Sequence, residues 1–213
     1  MEIVWYGLSC FRLSERGKAV VVTDPYGPEI GLPPLKLKAD IVTVSHDAPG
    51  HNEVKAVKGV RREIKGPGEF EIGGVFIIGI QMDPKKSTKS KARANMLYVF
   101  DFDGLTVVHL GDLSYVPSQA QIENLGTVDI ALVPVGGGGA LSPSQASEVI
   151  SLIEPSIVVP MHYKTGEMEL KLDGIKRFLS EMGISEKEAL PSLKISKSGL
   201  SEDTQVVVLE SSV

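Results

Sequence analysis

The chain is expected to be an α/β protein, a four-layer αββα sandwich with two sheets face to face and helices on the outer faces. Three observations predict it. The first half is dense in short β-prone runs. The second half alternates strand and helix patterns. All four histidines, His46, His51, His109 and His162, stand at or near strand ends, where layered α/β proteins assemble sites.

Taken in order, residues 3–6, 10–13 and 19–23 are short strands separated by Gly, Ser and charged residues. Residues 24–38 are rich in Pro and Gly and read as a surface loop. A buried-type strand at 40–44 leads into the loop that carries His46 and His51, and 52–57 suits a helical turn or a short strand. Residues 60–65, 69–72 and 75–81 form a meander turned by Gly66-Pro67-Gly68 and Gly73-Gly74. The polar, Lys-rich stretch 83–93 is a mobile loop. A hairpin follows at 96–102 and 105–110 with Asp103-Gly104 as its two-residue turn. Residues 117–124 are helical, and 130–135 is a strand running into Gly136-Gly137-Gly138-Gly139. Ser142, Pro143 and Gln145 make the N-cap, first position and capping-box partner of a helix over 142–153. Residues 157–160 are a strand. An amphipathic helix is expected over 169–182, with Leu172, Ile175, Phe178, Leu179 and Met182 at helical spacing. Strands at 193–196 and 205–210 close the chain.

The 213 residues are expected to form one domain, 1–213, long enough to bury a sizeable core. A net charge of −5 disfavours a general nucleic-acid or membrane-surface binder. The single cysteine, Cys10, excludes an intramolecular disulfide and fits a reducing cytoplasm. No basic segment followed by an apolar run suggests a signal peptide, and no stretch approaches the roughly 20 apolar residues of a membrane span.

The histidines and one aspartate carry the candidate chemistry. His46 and His51 share a loop shaped by Pro49-Gly50, so both rings can converge on one metal, or the loop is simply polar and exposed. Asp112 either binds metal through a hard anionic oxygen or caps the following turn. His162 emerges from an apolar strand as a ligand or as a hydrogen-bonded core residue. His109 lies three residues before Asp112; on an extended segment the two point to opposite faces, so His109 reads as packing. The four glycines lack the Lys-Ser/Thr of a phosphate-binding loop and let backbone pass close to a site. Lys85, Lys86, Lys89, Lys91 and Arg93 make a solvated loop or a lid that attracts an anionic substrate. Cys10 reads as a small core residue.

An ordered series of segments spans nearly the whole chain. It comprises Trp5-Tyr6-Gly7-Leu8-Ser9-Cys10-Phe11, Val22-Thr23-Asp24-Pro25, the 45–52 loop and Gly66-Pro67-Gly68-Glu69-Phe70-Glu71. It continues through His109-Leu110-Gly111-Asp112-Leu113, Val133-Pro134-Val135-Gly136-Gly137 and Pro160-Met161-His162-Tyr163. The series resembles the metallo-β-lactamase superfamily, in particular small metal-dependent hydrolases similar to ascorbate-6-phosphate lactonase. The resemblance implies an αββα fold with a one- or two-zinc site, sometimes holding manganese or iron. In its His-x-His-x-Asp-His loop, His46 is the first histidine and His51 the last, while Ala48 and Gly50 occupy the second histidine and the aspartate. A later family histidine falls on or near Met82, and one after the first strand falls on Leu8. Asp112 matches the bridging aspartate and His162 the final histidine.

The resemblance therefore implies metal ligands His46, His51, Asp112 and His162, and at most one zinc, manganese or iron per chain, or none. Asp112 is the expected catalytic residue, both ligand and orienter of a metal-bound hydroxide that attacks an ester, lactone or phosphoester. With no aspartate at position 50, low activity is expected. The alternative is a non-catalytic relative binding a small anionic ligand or a protein partner. The expected partner is a small, anionic molecule; a homo-oligomer is compatible with the sequence, and nucleic acid is disfavoured.

Overall fold

The computed structural model describes residues 1–82, 94–166 and 168–213. The Lys-rich stretch expected to be a mobile loop lies outside the described residues.

Two mixed sheets face each other. The first contains β1 (Glu2–Trp5), β2 (Phe11–Ser14), β3 (Val21–Thr23), β4 (Ile41–Thr43) and β5 (Arg62–Ile64), in that spatial order, with Leu193–Lys194 paired outside β1. Its first three strands run antiparallel, and β3, β4 and β5 run parallel. The second sheet contains β6 (Gly68–Ile72), β7 (Val75–Met82), β8 (Asn95–Phe102), β9 (Leu105–His109), β10 (Ile130–Pro134), β11 (Ile157–Met161) and β12 (Gln205–Val206), in the same spatial order. Its meander β6 to β9 is antiparallel and its strands β9 to β12 are parallel. Asp103 and Gly104, both at positive φ, close the β8–β9 hairpin as the sequence predicts.

Apolar side chains at alternating positions hold the sheets together. Ile3, Trp5, Phe11, Leu13 and Ile41 from the first sheet meet Ile77, Tyr98, Phe100 and Val107 from the second, all buried. The parallel strands β10 and β11 are buried along their whole length; α2 (Pro143–Ile153) packs on β10, and α3 (Ile175–Glu181) and α1 (Gln119–Glu123) pack next to α2. Ser142 caps α2 through a capping box with Gln145 and with Pro143 in its first turn, as predicted. The outer face of the first sheet carries a second apolar cluster, in which Val22 and Val42 pack under Tyr26, Ile30, Leu37 and Met168. Irregular chain, single turns and a short parallel pair of strands, Leu37–Lys38 with Val57–Lys58, form that layer among the described residues.

The expected helix over 169–182 is corrected: only Ile175–Glu181 is helical, with Gly174 as its extended N-cap. The helical periodicity holds for Ile175, Phe178 and Leu179. Upstream, tertiary partners take the backbone groups. The Glu169 N–H bonds Ile30 O at 3.1 Å, the Asp173 N–H bonds Gly136 O at 2.8 Å, and Lys164 N–H bonds Asp173 O at 2.9 Å. Residues 169–173 are therefore a strap across the strand ends rather than a first helical turn.

Parallel strands put their C-terminal ends on one side. Asp24 follows β3, Ser45 and His46 follow β4, Asp112 follows β9, Gly136 follows β10 and His162 follows β11. These five ends meet at one rim of the sandwich, where an α/β sheet places its ligand site.

Candidate metal centre

The structure brings the four sequence-predicted ligands together, with three histidines around the Asp112 carboxylate. His46 Nε2 lies 3.6 Å and His51 Nε2 3.4 Å from Asp112 Oδ2, and His162 Nε2 lies 3.1 Å from Asp112 Oδ1. The donor atoms of His46, His51 and Asp112 fall within 4.8 Å of one another. His51 stands between the other two rings, 4.3 Å from the His46 centroid and 5.7 Å from that of His162. Although the His162 contact is short, Asp112 Oδ1 is a buried acceptor with no hydrogen bond among the described residues.

Asp24 builds this arrangement from behind, a role the sequence reading did not assign. It is fully buried at positive φ and accepts three hydrogen bonds: Ser45 N–H at 2.7 Å, Ser45 Oγ–H at 2.5 Å and His51 Nδ1–H at 2.9 Å. Because the Ser45 hydroxyl proton goes to Asp24, its oxygen accepts from His46 Nδ1–H at 3.0 Å. One carboxylate thus orients two imidazoles and turns both Nε2 atoms toward Asp112. Carboxylate-backed imidazoles of this kind are the usual support of metal ligands. The only sequence signal for Asp24 was its place at a strand end in the segment Val22-Thr23-Asp24-Pro25.

Electrostatics follow from burial and pairing. Burial would raise the Asp112 carboxyl, but the charges of His51, His162 and His46 outweigh it and hold the group well below the usual carboxylate range. Burial would lower His51, yet Asp112 and the hydrogen-bonded Asp24 raise it above an ordinary histidine. Asp24 itself is lowered: its burial is overcome by the bond from His51 and by the charge of His109.

His109 is not among the ligands. It is fully buried, donates Nε2–H to Ser9 O at 2.9 Å and accepts Gly111 N–H on Nδ1 at 3.2 Å. The reason differs from the strand alternation expected: Gly111 at φ 54° breaks the extended run, and the chain turns between Leu110 and Leu113. Asn95 secures that turn, accepting Asp112 N–H at 2.9 Å and donating to Leu110 O at 3.0 Å. A Cβ on Gly111 would meet Ser45 Cβ at 2.6 Å, so only glycine lets the Asp112 turn reach the His46 loop. Gly136 likewise leaves no space for a Cβ against His162 O.

His162 itself has φ 53°, and its N–H bonds Leu8 O at 2.9 Å. Its Nδ1 is buried without a hydrogen bond among the described residues. The Pro160-Met161-His162-Tyr163 segment and the glycine-turned Asp112 loop converge on a rim defined by two mixed sheets, and a beta-lactamase superfamily domain matches residues 2–162. The chain belongs to the beta-lactamase superfamily. Its relatives are similar over most of their length. A UPF0173 protein of Pyrococcus abyssi is 31% identical over 188 residues, 78% of this chain and 84% of its own. A UPF0173 metal-dependent hydrolase of Thermoplasma acidophilum is 27% identical over 194 residues, 79% of this chain and 85% of its own. A Thermotoga maritima structure assigned as a Zn-dependent hydrolase of the metallo-beta-lactamase superfamily is 34% identical, with a TM-score of 0.78 over 98% of this chain and 99% of that one.

Within this superfamily member, Ala48 and Gly50 occupy the interior of the histidine loop. Gly50 has φ 93°, and a Cβ on it would lie 2.8 Å from Leu8 Cδ2 and 3.3 Å from Ile30 Cγ2. Leu8, Ile30 and their buried neighbours fill the space behind the loop with hydrocarbon. Met82 is buried at the end of β7. Two clefts flank the His46–Asp112 pair: one lined by Asn95, Ser114 and Gly139, the other, of about 420 Å³, by His51, His162, Pro49 and Leu170 to Leu172. Among the described residues no helix is long and apolar enough to cross a membrane.

The donor set fits a divalent cation. Three imidazoles and a carboxylate are N and O ligands that zinc, manganese and iron accept. The unsatisfied Asp112 Oδ1 gives a buried lone pair that a cation would satisfy.

Proposed function

We propose that the chain is a metal-dependent hydrolase of an ester, lactone or phosphoester, working at a single cation held by His51, Asp112 and His162 with His46 beside them. The observation that carries this reading is the convergence of three imidazole Nε2 atoms on Asp112, two of them aimed by Asp24. A bound cation supplies Lewis acidity, which brings the pKa of water toward neutrality and stabilises charge developing on the scissile group.

The residues supply the rest. Asp112 orients the attacking water by hydrogen bond; it is the only carboxylate lining the two flanking clefts among the described residues. His51 and His46 stay oriented through Asp24 and Ser45, so neither of these two rings reorganises during the reaction. Apolar Pro49, Leu170 and Leu172 limit water around the reacting atoms. With glycine at position 50, no carboxylate stands there to take the proton of that water, and turnover is slow.

Metal content per chain, measured by inductively coupled plasma mass spectrometry on protein purified without chelator or affinity metal, tests the reading. About one zinc, manganese or iron per chain is expected, lost in a His51→Ala, His162→Ala double variant. The hydrocarbon packed behind Gly50 favours a second reading, a non-catalytic relative that keeps the cleft for a ligand. A chain that takes up no metal even from excess would establish that second reading over the first.

A further inference from the structure

Resting on the hydrolytic reading, we propose that the cleft beside the metal centre recognises an anionic group on a compact substrate, a phosphate or a carboxylate, and that Lys171 holds it. Lys171 is the only lysine or arginine lining either cleft among the described residues. It lines the same cleft as His46, His51 and His162 and lies between Leu170 and Leu172 in the chain.

Its position is built. Lys171 is the midpoint of the strap, tied to Ile30 O through Glu169 and to Gly136 O through Asp173. Leu172 seats against Gly138, where a side chain would leave it no room, and the Lys171 carbonyl lies 3.2 Å from the same position. The glycine loop and the strap thus fit each other, and their fit holds Lys171, an exposed residue, at the edge of the cleft. A backbone fixed at both ends leaves only side-chain freedom to lose on binding.

The chemistry selects the ligand. Asp112 would repel an anion that entered alone, and one cation across the cleft offsets that repulsion. Apolar walls of Ala48, Pro49, Leu170 and Leu172 strengthen the attraction by excluding water. A volume of about 420 Å³ is that of a small-molecule site, with an apolar body beside Leu170 and Leu172 and a charged end at Lys171.

The test is calorimetric titration of inorganic phosphate and, separately, acetate into wild type, K171M and K171R, each as purified and after chelator treatment. Wild type and K171R are expected to bind at least one of the two anions in both states, and the tighter one identifies the group recognised. K171M should bind it about tenfold more weakly, the loss of one charge-assisted hydrogen bond. Equal binding by K171M overturns the proposal, as does an anion bound only when metal is present and indifferent to residue 171, or no binding of either anion. Metal content of the same samples reads the hydrolase assignment independently: wild type that holds no metal as purified and takes up none from excess, yet shows Lys171-dependent anion binding, would sink that assignment and not this one.

Discussion

His51 and His162 approach the same carboxylate from two walls of the site, and they are held there by opposite means. His51 is fixed through its side chain, with Nδ1 bonded to a buried carboxylate that also fastens Ser45. His162 is fixed through its backbone, by a left-handed φ and an N–H to Leu8 O, while its Nδ1 has no hydrogen bond among the described residues. The first wall is rigid because breaking it would strand a buried charge. The second is set by chain direction alone, so its ring can adjust when a ligand arrives. A site of this kind separates what maintains its shape from what completes its coordination.

Removing the anchor of the first wall has the largest expected effect. Asp24→Asn removes the charge that pairs with His51 and disturbs all three accepted hydrogen bonds. A stability loss of about 3–5 kcal/mol is expected in urea unfolding of chelator-treated protein. Metal affinity should fall about 10- to 100-fold, as for other losses of a partner behind a ligand. A variant as stable as wild type would show that the Asp24 network is incidental to the rim.

Next comes the packing that shapes the first wall's loop. Gly50→Ala forces a side chain into a left-handed conformation and against Leu8, for a cost of about 1–3 kcal/mol. In a Leu8→Ala background the steric part disappears while the conformational part stays. A double-mutant cycle should therefore show favourable coupling of at least about 0.5 kcal/mol. Additive costs would mean that Leu8 does not close the space behind Gly50.

This division also explains what could be read from the sequence. Strand ends were legible because β-propensity marks the strands; His46, His51, Asp112 and His162 each left a bland alternative open by themselves and were singled out together by the resemblance, and the structure brings them to one place. Asp24 was not: an aspartate before proline at a strand end is an ordinary turn, and only the fold shows it lying behind His51. Ser45 acquires its role only through Asp24. The strap was misread because Leu172 continues the apolar spacing of α3, although it packs on Gly138 instead of on the helix's own face. Periodicity registers which residues are apolar and says nothing of which surface they meet.

The two buried histidines His51 and His109 offer a subtler separation, through pH. His51 is raised above 6.5, so in chelator-treated protein its contribution is complete below pH 6.5 and is lost as pH rises through its folded value. His109 is lowered below 6.5 by burial, so its contribution is complete above pH 6.5 and is lost as pH falls through its folded value. Each limb has a limiting slope of about 1.4 kcal/mol per pH unit. Urea midpoints across this range should fall on both sides for wild type. The alkaline fall should vanish in His51→Gln, and also on metal loading, where a cation replaces the His51 proton. Persistence of that fall in His51→Gln would move its origin elsewhere.

The smallest effect on stability, and the sharpest contrast with Asp24→Asn, is expected at His162. Asparagine tolerates the left-handed conformation better than most residues, so His162→Asn keeps the backbone bond to Leu8 O. It also removes a buried ring nitrogen that makes no hydrogen bond among the described residues. Urea unfolding of the chelator-treated variant should therefore stay within about 1 kcal/mol of wild type, the size of changes away from strained or networked positions. Metal affinity should nevertheless drop, because an imidazole donor facing Asp112 Oδ1 is gone. Stability lost in parallel with metal would place His162 in the rigid wall with His51. Stability kept while metal is lost would establish that one side of the rim holds its shape through hydrogen bonds and the other through the path of the backbone.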